Sequence, residues 1–250
     1  MLGNDVVDLR DPESRPDSFR PRFDERVFSP DERWAIAHDR DPLARRWAHW
    51  AAKEAAYKLA RQIDSTFVFS PRRLIASYAP VESRVGQRLE RRGQVVVGGA
   101  GDGSEVPVRR VSLRSFETSD RIHVVAVPET TDWGAVDFAV ERLDPGQQDS
   151  SAAVRKMAIA EIGRHLGVSL DRLSIGRRGR IPTVLLDGSV TSLSLSLSHH
   201  GNWIGYSMAL RMDSSIHVDQ ADDWHRAASP MPPMSPTSPT STLAKRVQTA

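Results

Sequence analysis

The chain has 250 residues, 39% of them hydrophobic and 26% charged, with a net charge of +2 and no cysteine. This suits a soluble globular protein with room for one large domain or two small ones, and it excludes disulfides, thiolate metal sites and a cysteine nucleophile. No apolar run reaches the roughly 18 residues that a membrane-spanning helix needs, and the start from Met1 to Asp5 lacks the basic and apolar regions of a signal peptide, so a cytoplasmic protein is expected.

Gly3 to Asp8 alternates around Val6 and Val7 and predicts a short strand with Asp5 on one face. A carboxylate on a half-buried strand needs a partner. A metal ion is one such partner, and an acidic N-terminal turn is the plainer reading. A short helix is predicted from Asp31 to Ala37, after Ser29-Pro30. Asp41-Pro42 then supplies a cap and a first-turn proline for a long helix from Leu43 to about Gln62, with Trp47, Trp50, Tyr57 and many alanines at helical spacing. β-Branched and aromatic runs predict strands at 66–69, 95–97, 106–116 and 122–127. The glycine-rich stretch 98–103 lacks a following Gly-Lys-Ser/Thr and reads as a hairpin connection, not a phosphate loop.

Residues 129–150 read as a linker ending in Asp144-Pro145-Gly146. A second helix is predicted from Ser151 to Leu166, stopped by Gly167. Strands follow at 170–175, 183–186, 193–197 and 203–210, and the Pro/Ser/Thr-rich stretch 213–250 reads as a disordered tail. Each half thus gives a helix and then strands. The expected class is α+β, with two similar helix-plus-antiparallel-sheet subdomains at 1–128 and 151–212. A faint echo supports this: Ala52-Lys53-Glu54-Ala55 aligns with Arg155-Lys156-Met157-Ala158, which leaves Glu54 without an acidic counterpart.

Charge is unevenly spread. Acids crowd the first 32 residues, and arginine pairs follow, among them Arg45-Arg46 and Arg177-Arg178. Such pairs bind phosphates or an acidic partner, or simply cover a solvated surface. Within the long helix Glu54 and Lys58 are four apart and share a face. They suit either a surface pair or a carboxylate for Mg²⁺ beside an ammonium for a phosphate. Alternation through Leu193, Leu195 and Leu197 predicts a strand with one buried face, which His199 continues while His200 points away. A histidine at that strand end can donate to a phosphate; a turn with two exposed histidines is the plainer reading.

Together these elements resemble the 4′-phosphopantetheinyl transferase superfamily. The strand motif is Gly3-Asn4-Asp5 with Asp8; the helix motif is Trp50, Lys53, Glu54, Ala55 and Lys58; the strand-end motif is Ser196, Ser198, His199 and Gly201. The segment Arg22 to Glu32 and the segment Gly179-Arg180-Ile181-Pro182 are also similar to family segments. Two positions depart from the pattern: Leu59-Ala60-Arg61-Gln62 replaces a glycine-rich turn, and His49 stands where an arginine is common. The resemblance implies the family's fold, and either a chain of two fused halves carrying the two motif groups in swapped order or a short-type architecture with a large insertion; a long helix in each half favours the first. It implies Mg²⁺ on Asp5 and Glu54 with help from Asp8, and catalytic roles for Glu54 and Lys58. It further implies coenzyme A contacts from Lys58, His199, Ser198 and Lys53, with an apo carrier protein as acceptor. A monomer with no nucleic-acid or membrane partner is expected. The alternatives are a non-catalytic member that binds coenzyme A or a carrier protein, and an unrelated metal-dependent phosphoesterase.

Overall fold

A computed structural model of the chain describes residues 1–80, 83–86, 88–98 and 109–210. The expected tail at 213–250, and most of the expected hairpin connection at 98–103, lie outside the described residues.

The chain opens with strand β1 (Gly3–Asp8) and continues through short helices α1 (Phe23–Val27) and α2 (Pro30–Ala37) into the long helix α3 (Pro42–Ile63). A capping box starts α2, with Ser29 and Glu32 each bonding the other's backbone. Asp41 caps α3 through the Ala44 N–H, and Pro42 occupies its first turn. Strands β2 (Leu74–Tyr78), β3 (Ser83–Val85), β4 (Arg88–Val97), β5 (Arg109–Glu117) and β6 (Arg121–Pro128) complete a six-stranded antiparallel sheet in the order β1-β6-β5-β4-β2, with β3 on β4. Helix α3 lies across one face. Its alanines (Ala48, Ala51, Ala52, Ala55, Ala56, Ala60) are fully buried against Val95, Val111, Leu113 and Val124. Small side chains bring helix and sheet close, closest at Gly3, where a Cβ would lie 2.0 Å from the Ala55 carbonyl oxygen.

The second half starts with β7 (Val136–Arg142), then α4 (Ser150–Leu166), which ends on Gly167 in the left-handed conformation. Strands β8 (Leu173–Arg178), β9 (Ile181–Leu186), β10 (Ser189–Val190), β11 (Leu193–His200) and β12 (Trp203–Leu210) follow. They form two three-stranded sheets, β11-β12-β7 and β10-β9-β8. Leu195, Tyr206, Met208 and Leu173 pack on Ala158 and Ile162 of α4.

The two halves repeat one plan. In each, a strand precedes the long helix and pairs with the last strand of its half: β1 with β6, and β7 with β12. The path β1-β6-β5-β4-β2 corresponds to β7-β12-β11 followed by β9-β8, broken between β11 and β9. The fold is therefore α+β, built from two helix-plus-antiparallel-sheet units.

Several elements differ from the sequence expectation. Residues 66–69 form no strand; Phe69 instead packs its ring against Trp50 and Tyr57. Strand β4 begins at Arg88, because its outward residues Arg88, Arg92 and Gln94 hide the alternation. The stretch 129–150 is not purely a linker, since Val136–Arg142 is a strand whose partner β12 lies more than sixty residues further on. Leu170–Arg172 is a 3-10 turn that leads into β8.

Candidate active site

Side chains of β1 alternate between two environments. Gly3, Asp5 and Val7 face α3, while Asn4, Val6 and Asp8 face the other way. The close approach at Gly3 sets Asp5 beside the next turn of α3. There Lys58 Nζ donates to Asp5 Oδ1 at 2.8 Å and to the Asn4 carbonyl oxygen at 2.9 Å. Glu54, one turn back, shares this face. Burial and then the nearby Asp5 charge push its carboxyl up to about 7, against the pull of Lys58. No described residue hydrogen-bonds the Glu54 carboxylate.

On the second half the face formed by Leu193, Leu195 and Leu197 meets α4, and His199 continues it at the open end. His199 lines a cleft of about 160 Å³ with Ser151, Arg155, Arg177, Arg180 and Pro182. Burial, and then the positive charge of Lys58, hold its ring below the usual histidine range. Bonds from β1 to β11, Asn4 Nδ2 to Ser198 Oγ at 2.9 Å and the Asp8 N–H to His200 Nδ1 at 3.1 Å, bring the strand of Asp5 against the strand of His199. Arg155 is steadied by a 3.2 Å bond from Nη1 to the Ile175 carbonyl. A larger cavity of about 370 Å³ adjoins the cleft through Arg177 and Pro182, in the gap between β9 and β11.

Three residues named from the sequence are placed elsewhere. Lys53 is fully buried. Its ammonium donates to Glu32 Oε2 at 2.8 Å and to the Pro71 and Leu74 carbonyls, so no donor remains for coenzyme A. Asp8 is 1% exposed, and its carboxylate accepts from the Arg10 N–H and from the backbone and side chain of Asn202. It ties β1 to the β11–β12 turn and does not share the Asp5–Glu54 face. Ser198 is buried with its hydroxyl turned to Asn4, away from the cleft.

His200 stands close to Asp11 and Glu13, with possible ligand atoms within 4.8 Å of one another. The trio does not fit an ion. His200 Nδ1 accepts the Asp8 N–H at 3.1 Å, so the neutral ring carries its proton on Nε2 and is a donor there. Asp11 Oδ1 already accepts the Glu13 N–H. Asp5 and Glu54 do fit a hard divalent cation: two neighbouring carboxylates, one of them desolvated and without a hydrogen bond. The arginines of the cleft were only partly visible in the sequence. Arg177 belonged to a noted pair and Arg180 to the Gly-x-Pro-like segment, but nothing marked Arg155.

Residues 1–71 match the family model of the 4′-phosphopantetheinyl transferase superfamily. The matched segment contains β1 and all of α3, and therefore Asp5, Glu54 and Lys58. Over these residues the chain is similar to that superfamily. No curated protein matches the chain. No helix among the described residues is long and apolar enough to cross a membrane.

Proposed function

We propose that this chain transfers 4′-phosphopantetheine from coenzyme A to a serine of an apo acyl or peptidyl carrier protein, with Mg²⁺ as the metal. The observation that carries this reading is the meeting of two unlike groups at the junction of the halves. Asp5, Glu54 and Lys58 lie on one side, and His199 with three arginines on the other. A pyrophosphate ester needs both: carboxylates that hold a divalent cation, and cations that hold phosphate oxygens.

Asp5 and Glu54 would hold Mg²⁺. When bound, the ion neutralises charge on the pyrophosphate and favours attack at phosphorus. Arg155, Arg177, Arg180 and His199 bind phosphate oxygens of coenzyme A, and the adjoining cavity receives a less polar part of the same molecule. Lys58 neutralises charge that develops on the transferring phosphoryl group. Glu54 would also help remove the proton from the carrier serine. The serine oxygen forms a bond to the phosphorus of the phosphopantetheine arm. The P–O bond to the nucleotide breaks, and 3′,5′-adenosine bisphosphate leaves with the electron pair.

The test is chromatography of coenzyme A incubated with the protein, Mg²⁺ and an apo carrier protein. Release of 3′,5′-adenosine bisphosphate only when the carrier serine is present supports transfer. Release without any carrier supports a phosphoesterase, and binding without release supports a non-catalytic member.

A further inference from the structure

Asn4 has no exposed surface, and its backbone N–H, backbone carbonyl and side-chain nitrogen are all bonded at the junction, while its side-chain oxygen has no partner. Its carbonyl accepts from Lys58 Nζ at 2.9 Å, and its backbone N–H donates to Ser196 Oγ at 3.0 Å. Its side-chain nitrogen donates to Ser198 Oγ at 2.9 Å and to His123 Nε2 at 3.2 Å. The chain neighbours of this bonded pair are the groups of the site: Asp5 follows Asn4, and His199 follows Ser198. Among the hydrogen bonds that span the halves, the one between the Asn4 and Ser198 side chains lies one residue away from each group of the site.

His123 is 1% exposed, and burial pushes its ring down to about 3, so it stays neutral and offers a lone pair. With that lone pair on Nε2, the nitrogen end of the Asn4 amide faces His123, and the same nitrogen reaches Ser198. Gly205 of β12 allows the approach, since a Cβ there would stand 3.3 Å from His123 Nε2 and 3.4 Å from both Asn4 Nδ2 and Ser198 Oγ. Leucine or valine at position 4 would suit a buried strand as well. The polar amide therefore costs desolvation that only its specific pairing offsets.

We propose that Asn4 is a positioning residue that fixes the register between the strand bearing Asp5 and the strand bearing His199, and so the spacing of carboxylates and phosphate-binding cations. Its catalytic consequence rests on the transferase reading; its geometric consequence does not. Displacing reacting groups by about 1 Å can cost on the order of a hundredfold in rate.

The chain has no cysteine, so spin labels on Asp31→Cys in α2 and Ala160→Cys in α4, both exposed positions, report the distance between halves in the full-length protein. The parent chain should give one narrow distance. Asn4→Asp keeps the side-chain shape, but an ionised carboxylate cannot donate to Ser198 or His123. It should shift or broaden the distance and lower the kcat for transfer about tenfold or more, with the KM for carrier protein moving less than about threefold. Ser198→Ala removes the same bond from β11, should act alike, and stands in if Asn4→Asp does not fold. Unchanged distances in both variants overturn the proposal. A changed distance in a chain that transfers nothing upholds the positioning role and removes the transferase reading instead.

Discussion

Lys58 and Asp5 are joined by a 2.8 Å salt bridge, with the lysine side chain 29% and the aspartate 14% exposed. The bridge occupies one Asp5 oxygen, and neighbouring Glu54 has no such bond. The candidate metal site thus contains one paired carboxylate and one strained one, and this imbalance has measurable consequences.

Glu54→Gln should stabilise the metal-free protein while abolishing transfer. The folded-state carboxyl lies near 7, against an ordinary value of 4.5. The folded protein binds the extra proton between those values, so stability is lost as pH rises from about 4.5 through 7. Above that window the cost is about 1–3 kcal/mol, and glutamine removes it. Urea unfolding in the presence of chelator at pH 8 should give a higher midpoint for Glu54→Gln than for the parent chain. An equal or lower midpoint contradicts a desolvated carboxylate.

The adjacent histidines should separate in kind. His199→Ala removes a hydrogen-bond donor of the cleft and should raise the KM for coenzyme A roughly tenfold or more with little change in stability. His200→Ala leaves the Asp8 N–H without its acceptor and should cost about 1 kcal/mol of stability with a far smaller kinetic effect. Steady-state kinetics and thermal melts of both variants check this. A dominant kinetic effect at His200 would reverse the assignment.

Lys53 should behave as a core residue. Glu32 is 2% exposed and accepts from Lys53 Nζ, the Ser29 N–H and the Ala76 N–H. Lys53→Met leaves that carboxylate buried without its cation, which costs about 3 kcal/mol or more. Adding Glu32→Gln should recover part of the loss. Denaturant titration of the single and double variants measures both. A loss below about 1 kcal/mol for Lys53→Met would return Lys53 to the cleft.

Buried His123 should cost stability as the solution is acidified below about 6.5, opposite in sign to Glu54 over the same range, because the unfolded chain then takes up protons that His123 refuses until about 3. The expected loss at pH 5.5 from this group is about 1.4 kcal/mol. His49, held low chiefly by burial, adds in the same direction. In a Glu54→Gln background, which removes the opposing contribution, His123→Gln keeps an acceptor for Asn4 and should flatten the decline between pH 7.5 and 5.5 without abolishing it. An unchanged slope would rule out a buried neutral ring.

The parts of the site legible in the sequence are those that a local period places. Helical phase puts Glu54 and Lys58 on one face, and strand phase puts His199 on the face of Leu195 and Leu197. Gly3, beside Asn4-Asp5, marks where β1 must come close to a helix. The roles of Lys53, Asp8 and Ser198 were not legible, because each is decided by a partner remote in sequence: Glu32 and two carbonyls for Lys53, Asn202 for Asp8, and Asn4 for Ser198. Arg155 joins the cleft only once α4 packs beside β8. The missing acids of the second half follow the same logic. Asp8 and Arg142 each pair with the first residue of the following β6 or β12, so Asp5 corresponds to Ala139, just as Glu54 aligns with Met157. The repeated plan therefore carries one carboxylate pair, in the first half.

The central claim is transfer of the phosphopantetheine arm, and intact-mass measurement of the acceptor tests it most directly. An apo carrier protein incubated with this chain, coenzyme A and Mg²⁺ should gain the mass of one phosphopantetheine group. The gain should vanish with chelator, with Glu54→Gln, or when the carrier serine is replaced by alanine. A carrier that keeps its apo mass with the unaltered chain and Mg²⁺ present, across several acyl and peptidyl carrier proteins, would contradict the account.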